Sequence, residues 1–456
     1  MFIGQPSVNT DGVIYLNAAN GFLKHGFNGA VQIYGWPFYS ILITLVAKLG
    51  LTLEAAAALL NIVFFAALAW AFVTAAVQLY PAQKKIHYVA AAVVLLEPYI
   101  NSLRDSFFRD NGYLACLLLS LVALLRYAGS GRPLTLLAWL LLTVIATLFR
   151  PEALLLIPAG IVAIIHARGS WKTGLVLLAL TSLAGAAAFW LLQDYAPESR
   201  TRDVLGWWNY FTAEIGTTFS TKAALLEQSI LGEFSSNGTE ALLAALIATL
   251  LATIVGVLTP VYALILWCTR NEKIFIAPAH RKILWAYALA TFIPPALFVL
   301  QSYFVSQRYV LAFSMLLLLL LVPRLVRMIE NIRHMPFRIA VIVLLALFFS
   351  IASYRNLKIE TELKDAGLWL SQQSGSVWTN SIPVAYYIES RAAGKTVITQ
   401  NLSLTDTDFK QINTDWAAVI VAKRDANKIP ALLEQLHGTE RNRFAGGGRY
   451  VVVIKR

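Results

Sequence analysis

The chain is poor in what a soluble protein needs. Of its 456 residues only 14% are charged, with 25 acids against 37 lysines and arginines, and 58% are hydrophobic. Mean hydropathy is +0.64. This balance excludes an ordinary soluble globular domain and leaves a polytopic membrane protein. Only two cysteines are present, Cys116 and Cys268, both in apolar segments, which excludes a disulfide framework or a cysteine-built metal site. Of six histidines, four (His87, His166, His280 and His334) lie in basic loops between apolar runs. The sequence has no metal-protease motif, nucleophile elbow, Gly-rich phosphate loop, internal repeat or low-complexity tail.

Long apolar runs are what the chain does have. They fall near residues 37–50, 56–79, 86–100, 112–127, 133–149, 152–166, 173–193, 240–267, 283–300, 308–323 and 337–353. A span needs about 20 apolar residues. The first run is short and led by Trp36-Pro37, so it is expected in the interface; the other ten read as spans.

The loops alternate in charge. One set carries Lys84, Lys85, Arg126, Arg132, Arg168, Lys172, Arg270, Lys273, Arg281, Lys282, Arg324, Arg327, Arg333 and Arg338, with only Glu272 and Glu330 as acids. The positive-inside rule assigns that set to the cytoplasm. This distribution also accounts for most of the +12 net charge as membrane topology rather than a nucleic-acid footprint, so no nucleic-acid partner is expected. The N-terminal segment, residues 97–110, the Arg150-Pro151-Glu152 corner, the 194–239 loop, residues 301–308 and everything after Tyr354 then face outward. An outward N-terminal segment leads us to expect one further helix ahead of Met1.

Three parts follow: an outer loop at 1–36, a transmembrane region at 37–354, and a soluble extracytoplasmic domain at 355–456. In the last part, helices at 360–372, 382–391 and 427–437 alternate with short β-like runs at 376–379, 396–399, 417–422 and 450–454. That alternation predicts a small α/β layer with a largely parallel sheet. The fold class expected is mainly α, with about ten spans, an interfacial helix and this C-terminal α/β domain.

Chemistry is expected among the outward polar residues. Asp11 precedes Gly12 and fits a turn or helix cap. It also fits a general base, since Tyr15, four residues on, shares its helical face and offers a ring to a sugar. Arg104, Asp105, Arg109 and Asp110 are spaced for mutual ion pairing. They are also spaced for arginines on a phosphate, with one Asp free for chemistry or a divalent cation. Arg150 and Glu152 interrupt nearly thirty apolar residues, which suits either a span boundary or a polar cavity. Arg308 and Tyr309 open a span, as headgroup anchors or as lipid-phosphate contacts. The aromatic cluster Trp207-Trp208-Asn209-Tyr210-Phe211 reads as interfacial anchoring.

Five short motifs in order carry a resemblance: Asp11-Gly-Val-Ile-Tyr15-Leu, Trp36-Pro-Phe-Tyr39, Arg109-Asp110-Asn-Gly112-Tyr113, Phe149-Arg150-Pro-Glu152 and Gln307-Arg308-Tyr309. Gly367-Leu-Trp-Leu370 through Asn380 and Tyr386-Tyr387 resembles the start of a soluble tail. Together they resemble the bacterial GT-C membrane glycosyltransferases, which include protein mannosyltransferases, aminoarabinose transferases and Rgt-type lipopolysaccharide glycosyltransferases. The resemblance implies transfer of a sugar, with inversion, from a polyprenyl-phosphate-linked donor to a glycan, lipid or protein acceptor, outside a bacterial inner membrane. It implies Asp11 as the base, Asp110 as the assisting acid, and Arg109, Arg150 and Arg308 as phosphate ligands. The first-loop acid here is a single Asp before Gly rather than a paired acid. Two rival readings stand beside the enzyme. A transporter or flippase of lipid-linked saccharides would bury charges at the midplane and break its helices, and a non-catalytic assembly protein would need none of the acid knots.

Overall fold

The structure is a computed structural model and describes residues 8–104, 106–192, 209–231, 237–356, 361–392, 394–400, 413–446 and 448–456. Asp105, Trp207 and Trp208, with the rest of 194–208 and with 232–236, lie outside these residues. All eleven apolar runs form helices. The chain is a polytopic helical membrane protein with a small C-terminal α/β domain, and it divides into two compact units.

The larger unit comprises residues 18–101 and 109–354. Its helices, apart from α1, are α2 (Phe38–Ala47), α3 (Leu53–Leu79), α4 (Ile86–Leu96), α5 (Pro98–Arg104, which runs past its border), α6 (Asp110–Ser130), α7 (Pro133–Phe149), α8 (Leu156–Arg168), α9 (Trp171–Leu192), α10 (Ile215–Leu226), α11 (Gly238–Cys268), α12 (Pro278–Ser302), α13 (Gln307–Asn331) and α14 (Met335–Asn356, ending just beyond it). Among the described residues, seven helices are long and apolar enough to cross a membrane, eight if the bent pair α4–α5 is one span. Helices α7 and α9 supply shorter apolar segments. Ten-residue α2 is about 15 Å long, half the hydrocarbon thickness.

Packing rather than hydropathy separates central helices from peripheral ones. Helices α6 and α13 are buried along most of their length, whereas α14 buries little. Between α7 and α8 the fit is close. A Cβ on Gly160 would stand 2.2 Å from the Trp139 ring, and Trp139 Nε1–H donates to Tyr287 Oη (2.9 Å), which also bonds Ser120 Oγ (2.9 Å). A small residue thus admits a large one, and a buried hydroxyl is fully paired.

Three helical stretches are broken, each for a local reason. The pair α4–α5 bends by 60° at Glu97-Pro98, because proline bars its predecessor from the helical region. Helix α11 breaks at Thr259 (φ 63°, ψ 147°), ahead of Pro260. Helix α1 (Thr10–Ile33) breaks at Gly26 (φ 65°, ψ −151°), a conformation open to glycine, and the Gly21 and Gly29 backbones then meet. The N-terminal segment expected as an outer loop is mostly helix among its described residues.

The smaller unit comprises residues 1–17, 102–108 and 355–456. Its sheet has the order β2 (Val397–Thr399), β1 (Val377–Thr379), β3 (Trp416–Ala422), β5 (Arg449–Lys455), β4 (Thr439–Gly446). Strands β2, β1 and β3 are parallel, but β5 runs antiparallel to both β3 and β4. The sheet is mixed rather than largely parallel. The sequence reading missed β4, since a charged Thr-Glu-Arg-Asn-Arg stretch on an edge shows no apolar run. Helix α17 (Ile429–Gln435) covers one face through Leu432 against Ala417, Val419 and Ile454. Helices α15 (Thr361–Ser371) and α16 (Ile382–Glu389) cover the other through Leu363, Val384 and Ile388 against Ala418 and Val453. Burial on both faces explains why β3 and the centre of β5, Val451–Ile454, are apolar.

Candidate functional site

A polar knot stands at the end of the helical unit where α6 begins and α7 ends. Arg150 follows the last turn of α7, and its side chain is buried. Its Nη1 donates to Asp110 Oδ1 (2.5 Å) and its Nη2 to Glu152 Oε1 (3.2 Å). The guanidinium lies over two rings, Tyr309 at 4.9 Å and Tyr113 at 5.7 Å from the centroids. Tyr309 in turn stacks on Phe298 at 4.4 Å. One arginine thus carries two carboxylates and two aromatic faces, a set that a planar guanidinium meets and an ammonium does not.

Arg109 enlarges the knot. It is 8% exposed and lies over the Tyr34 ring at 5.6 Å. Its Nη1 has no hydrogen-bond partner among the described residues, nor does Glu152 Oε2. Glu152 lies within the field of Arg109, and Tyr99 within the fields of Asp110, Arg308, Glu97 and Arg150. Behind Asp110, Asn111 Nδ2 donates to Asn61 Oδ1 (2.5 Å). A Cβ on Gly112 would stand 2.4 Å from Phe149, whose ring is held edge-on by Phe38 (5.0 Å) and Phe64 (5.2 Å). Glu97 is fully buried, with Oε2 accepting from Ile100 N (2.5 Å).

Spacing allowed Arg104, Asp105, Arg109 and Asp110 to pair among themselves; Asp105 lies outside the described residues, α5 ends at Arg104 and α6 starts at Asp110. Asp110 pairs instead with Arg150, forty residues away. Among the described residues no three His, Cys, Asp or Glu side chains converge as metal ligands.

Asp11, Tyr15 and Arg104 belong to the smaller unit. Asp11 stands in the first turn of α1, half exposed, so Asp11-Gly12 is inside the helix rather than a turn before it. An acid there matches the positive end of the helix dipole. Tyr15 is buried one turn on. The segment is fixed at both sides: Val8 N donates to Tyr387 Oη (2.9 Å) and Phe107 N donates to Asn9 Oδ1 (3.0 Å). A Cβ on Gly12 would meet Asn9 Oδ1 at 2.7 Å.

In the larger unit the structure gathers Arg109, Asp110, Arg150, Glu152 and Tyr309, and Tyr99 feels the charge of Arg308. Sequence reasoning overlooked Tyr34, Tyr99 and Asn61 as site residues. A lone Asn in the apolar run of α3 was a visible signal for Asn61; the tyrosines gave none.

No family model matches the chain, and no curated protein matches it. Among solved structures, the chain is similar to the crystal structure of ArnT from Cupriavidus metallidurans in the apo state. Identity is 12% over 97% of this chain and 92% of that one, with a TM-score of 0.39. No residue role is carried over from that likeness.

Proposed function

We propose that the chain is a membrane glycosyltransferase that moves a sugar from a polyprenyl-phosphate-linked donor to a glycan, lipid or protein acceptor, with inversion, on the non-cytoplasmic face of a bacterial inner membrane. One observation carries the reading: a buried arginine–carboxylate knot in an apolar helical unit, with an open nitrogen on Arg109 and an open oxygen on Glu152. A lipid-linked phosphate needs a cationic group beside an apolar path, and a departing phosphate needs that cation already in place.

The roles follow from the partners. Arg109, with a donor to spare, and Arg308 hold the phosphate. Arg150 is neutralised by two carboxylates, so it orients Asp110 and Glu152, and those acids are left to engage the sugar. Asp11 is the general base that takes the acceptor hydroxyl proton as oxygen attacks the anomeric carbon and the lipid phosphate leaves. Tyr15 supports the turn that carries it. If a divalent cation takes part, Asp110 and Glu152 are its candidate ligands; it would screen the departing phosphate.

A second reading, a transporter of lipid-linked saccharides, draws on one observation: the breaks at Glu97-Pro98 and Thr259-Pro260 in otherwise apolar spans. Sugar transfer in membranes holding a polyprenyl-phosphate sugar separates the two. Asp11→Asn is expected to lower the transfer rate about 100-fold or more, the scale of a lost general base. Arg109→Gln is expected to raise KM for the donor. Unchanged transfer in the Asp11 variant removes that residue from its role. No transfer by the parent protein, with lipid-linked sugar crossing the bilayer, replaces the enzyme by the transporter.

A further inference from the structure

Arg126 and Asp110 occupy opposite ends of α6, about 24 Å apart at 1.5 Å per residue. Around Arg126 lies a second feature, which the knot does not use. A cleft of ≈ 600 Å³ opens between the ends of α3, α6 and α12, bordered by Trp70, Val77, Gln78, Arg126, Gly129 and His280. Its volume falls in the range of ligand sites, of order 300–1,000 Å³.

Three observations define what fits. First, the Arg126 side chain is poised. With the Gln78 amide turned so that its oxygen accepts from Arg126 Nε (3.1 Å), its nitrogen donates to the Val122 carbonyl (3.3 Å). That fixes the guanidinium through Nε and leaves both Nη groups for a bidentate acceptor. Among the described residues no carboxylate is paired with Arg126, unlike Arg150. Second, the surroundings are positive. Arg168 donates to the Tyr127 carbonyl (2.7 Å) and lies over the Tyr127 ring, and Lys282 donates to the His166 carbonyl (2.9 Å). Among the described residues neither is paired with an acid. Third, the wall is apolar and continuous with the span surface: Trp70 is 56% exposed and Val77 40%.

We propose that this cleft binds one anionic phospholipid of the bilayer, its headgroup phosphate on the Nη fork of Arg126 beside His280, its acyl chain along Trp70 and Val77. Basic pockets between spans at the cytoplasmic end are suited to such headgroups. A free phosphate would find the same fork but would leave the apolar wall unused.

The test uses the full chain, purified, delipidated and returned to nanodiscs of mixed phosphatidylglycerol and phosphatidylcholine, with co-purifying lipid counted by native mass spectrometry. The wild type is expected to retain phosphatidylglycerol over phosphatidylcholine about fivefold, the worth of one arginine near a membrane surface. Arg126→Gln is expected to abolish the preference. Gly129→Leu keeps every charge, and a Cβ at Gly129 meets open space. It is therefore expected to fold and to lower retention of both lipids by filling the cleft. No preference in the wild type overturns the proposal, as does a preference surviving in both variants. Displacement of the lipid by millimolar inorganic phosphate identifies a simple anion site instead. Displacement by an equimolar polyprenyl phosphate identifies a donor-type lipid. Either result overturns the assignment to a bilayer phospholipid.

Discussion

Arg150 owes its buried position to partners on both sides, so its contribution is read best by removing them in turn. Arg150→Met leaves Asp110 and Glu152 as buried charges without the arginine that hydrogen-bonds both. The expected loss is about 3–5 kcal/mol of stability, the scale for half of a buried pair. Combining it with Asp110→Asn and Glu152→Gln should restore most of the loss, because an uncharged trio needs no counter-ion. Thermal melts of wild type, single and triple variants in one detergent check this, and a triple variant as unstable as the single one contradicts it. Asp415 offers a contrast at the surface. It accepts from Ser376 N (2.7 Å) and Ser376 Oγ (2.9 Å), and these bonds hold its carboxyl below the usual range. A depressed carboxyl stabilises the fold above its unfolded value, and that contribution is lost as pH falls through the folded one. Hydrogen-exchange protection of β3, corrected for intrinsic rate, should therefore differ between wild type and Asp415→Asn at pH 7. The difference should vanish in acid below the carboxylate range.

Elements are where the fold was legible and where it was not. Apolar runs placed eleven helices because a bilayer admits little else. What the runs hid was the break at Thr259-Pro260, which sits inside an apolar stretch, whereas Glu97-Pro98 was marked by its acid and proline. Edge strand β4 was hidden by its charges, and its pairing with β5 made the sheet mixed. The candidate site was legible in part: Arg109, Asp110, Arg150, Glu152 and Tyr309 were picked out as polar interruptions of apolar sequence. Their pairing was not, since Asp110 and Arg150 sit on different helices and no spacing rule joins them. Helix contacts give a prediction of their own. Gly160→Ala drives a methyl into Trp139 and strains its bond to Tyr287. The expected cost is about 1–3 kcal/mol, as for other overpacked cores. Trp139→Phe in the same background should recover part of it, which paired melting curves would show.

At the scale of the whole molecule, loop charge makes a claim about sides that helix geometry alone does not. Helix α14 starts beside Arg333 and Arg338 and leads to the C-terminal domain, so the basic loops and that domain are expected on opposite faces. Two exposed positions test this. Lys273 lies in the loop between α11 and α12, and the Arg424 side chain is 89% exposed in the C-terminal domain. Cys116 is buried, so Cys268→Ser removes the exposed thiol and gives a quiet background. In that background Arg424→Cys is expected to react with a membrane-impermeant maleimide added to spheroplasts. Lys273→Cys is expected to react only after the membrane is opened. The same pair bears on chemistry, because a lipid-linked donor used outside the cell must meet Asp110 and Arg109 at the end of α6 remote from Arg126. If Lys273→Cys reacts first, the orientation is inverted: the Arg150 knot then faces the cytoplasm, and transfer on the outer face is no longer tenable.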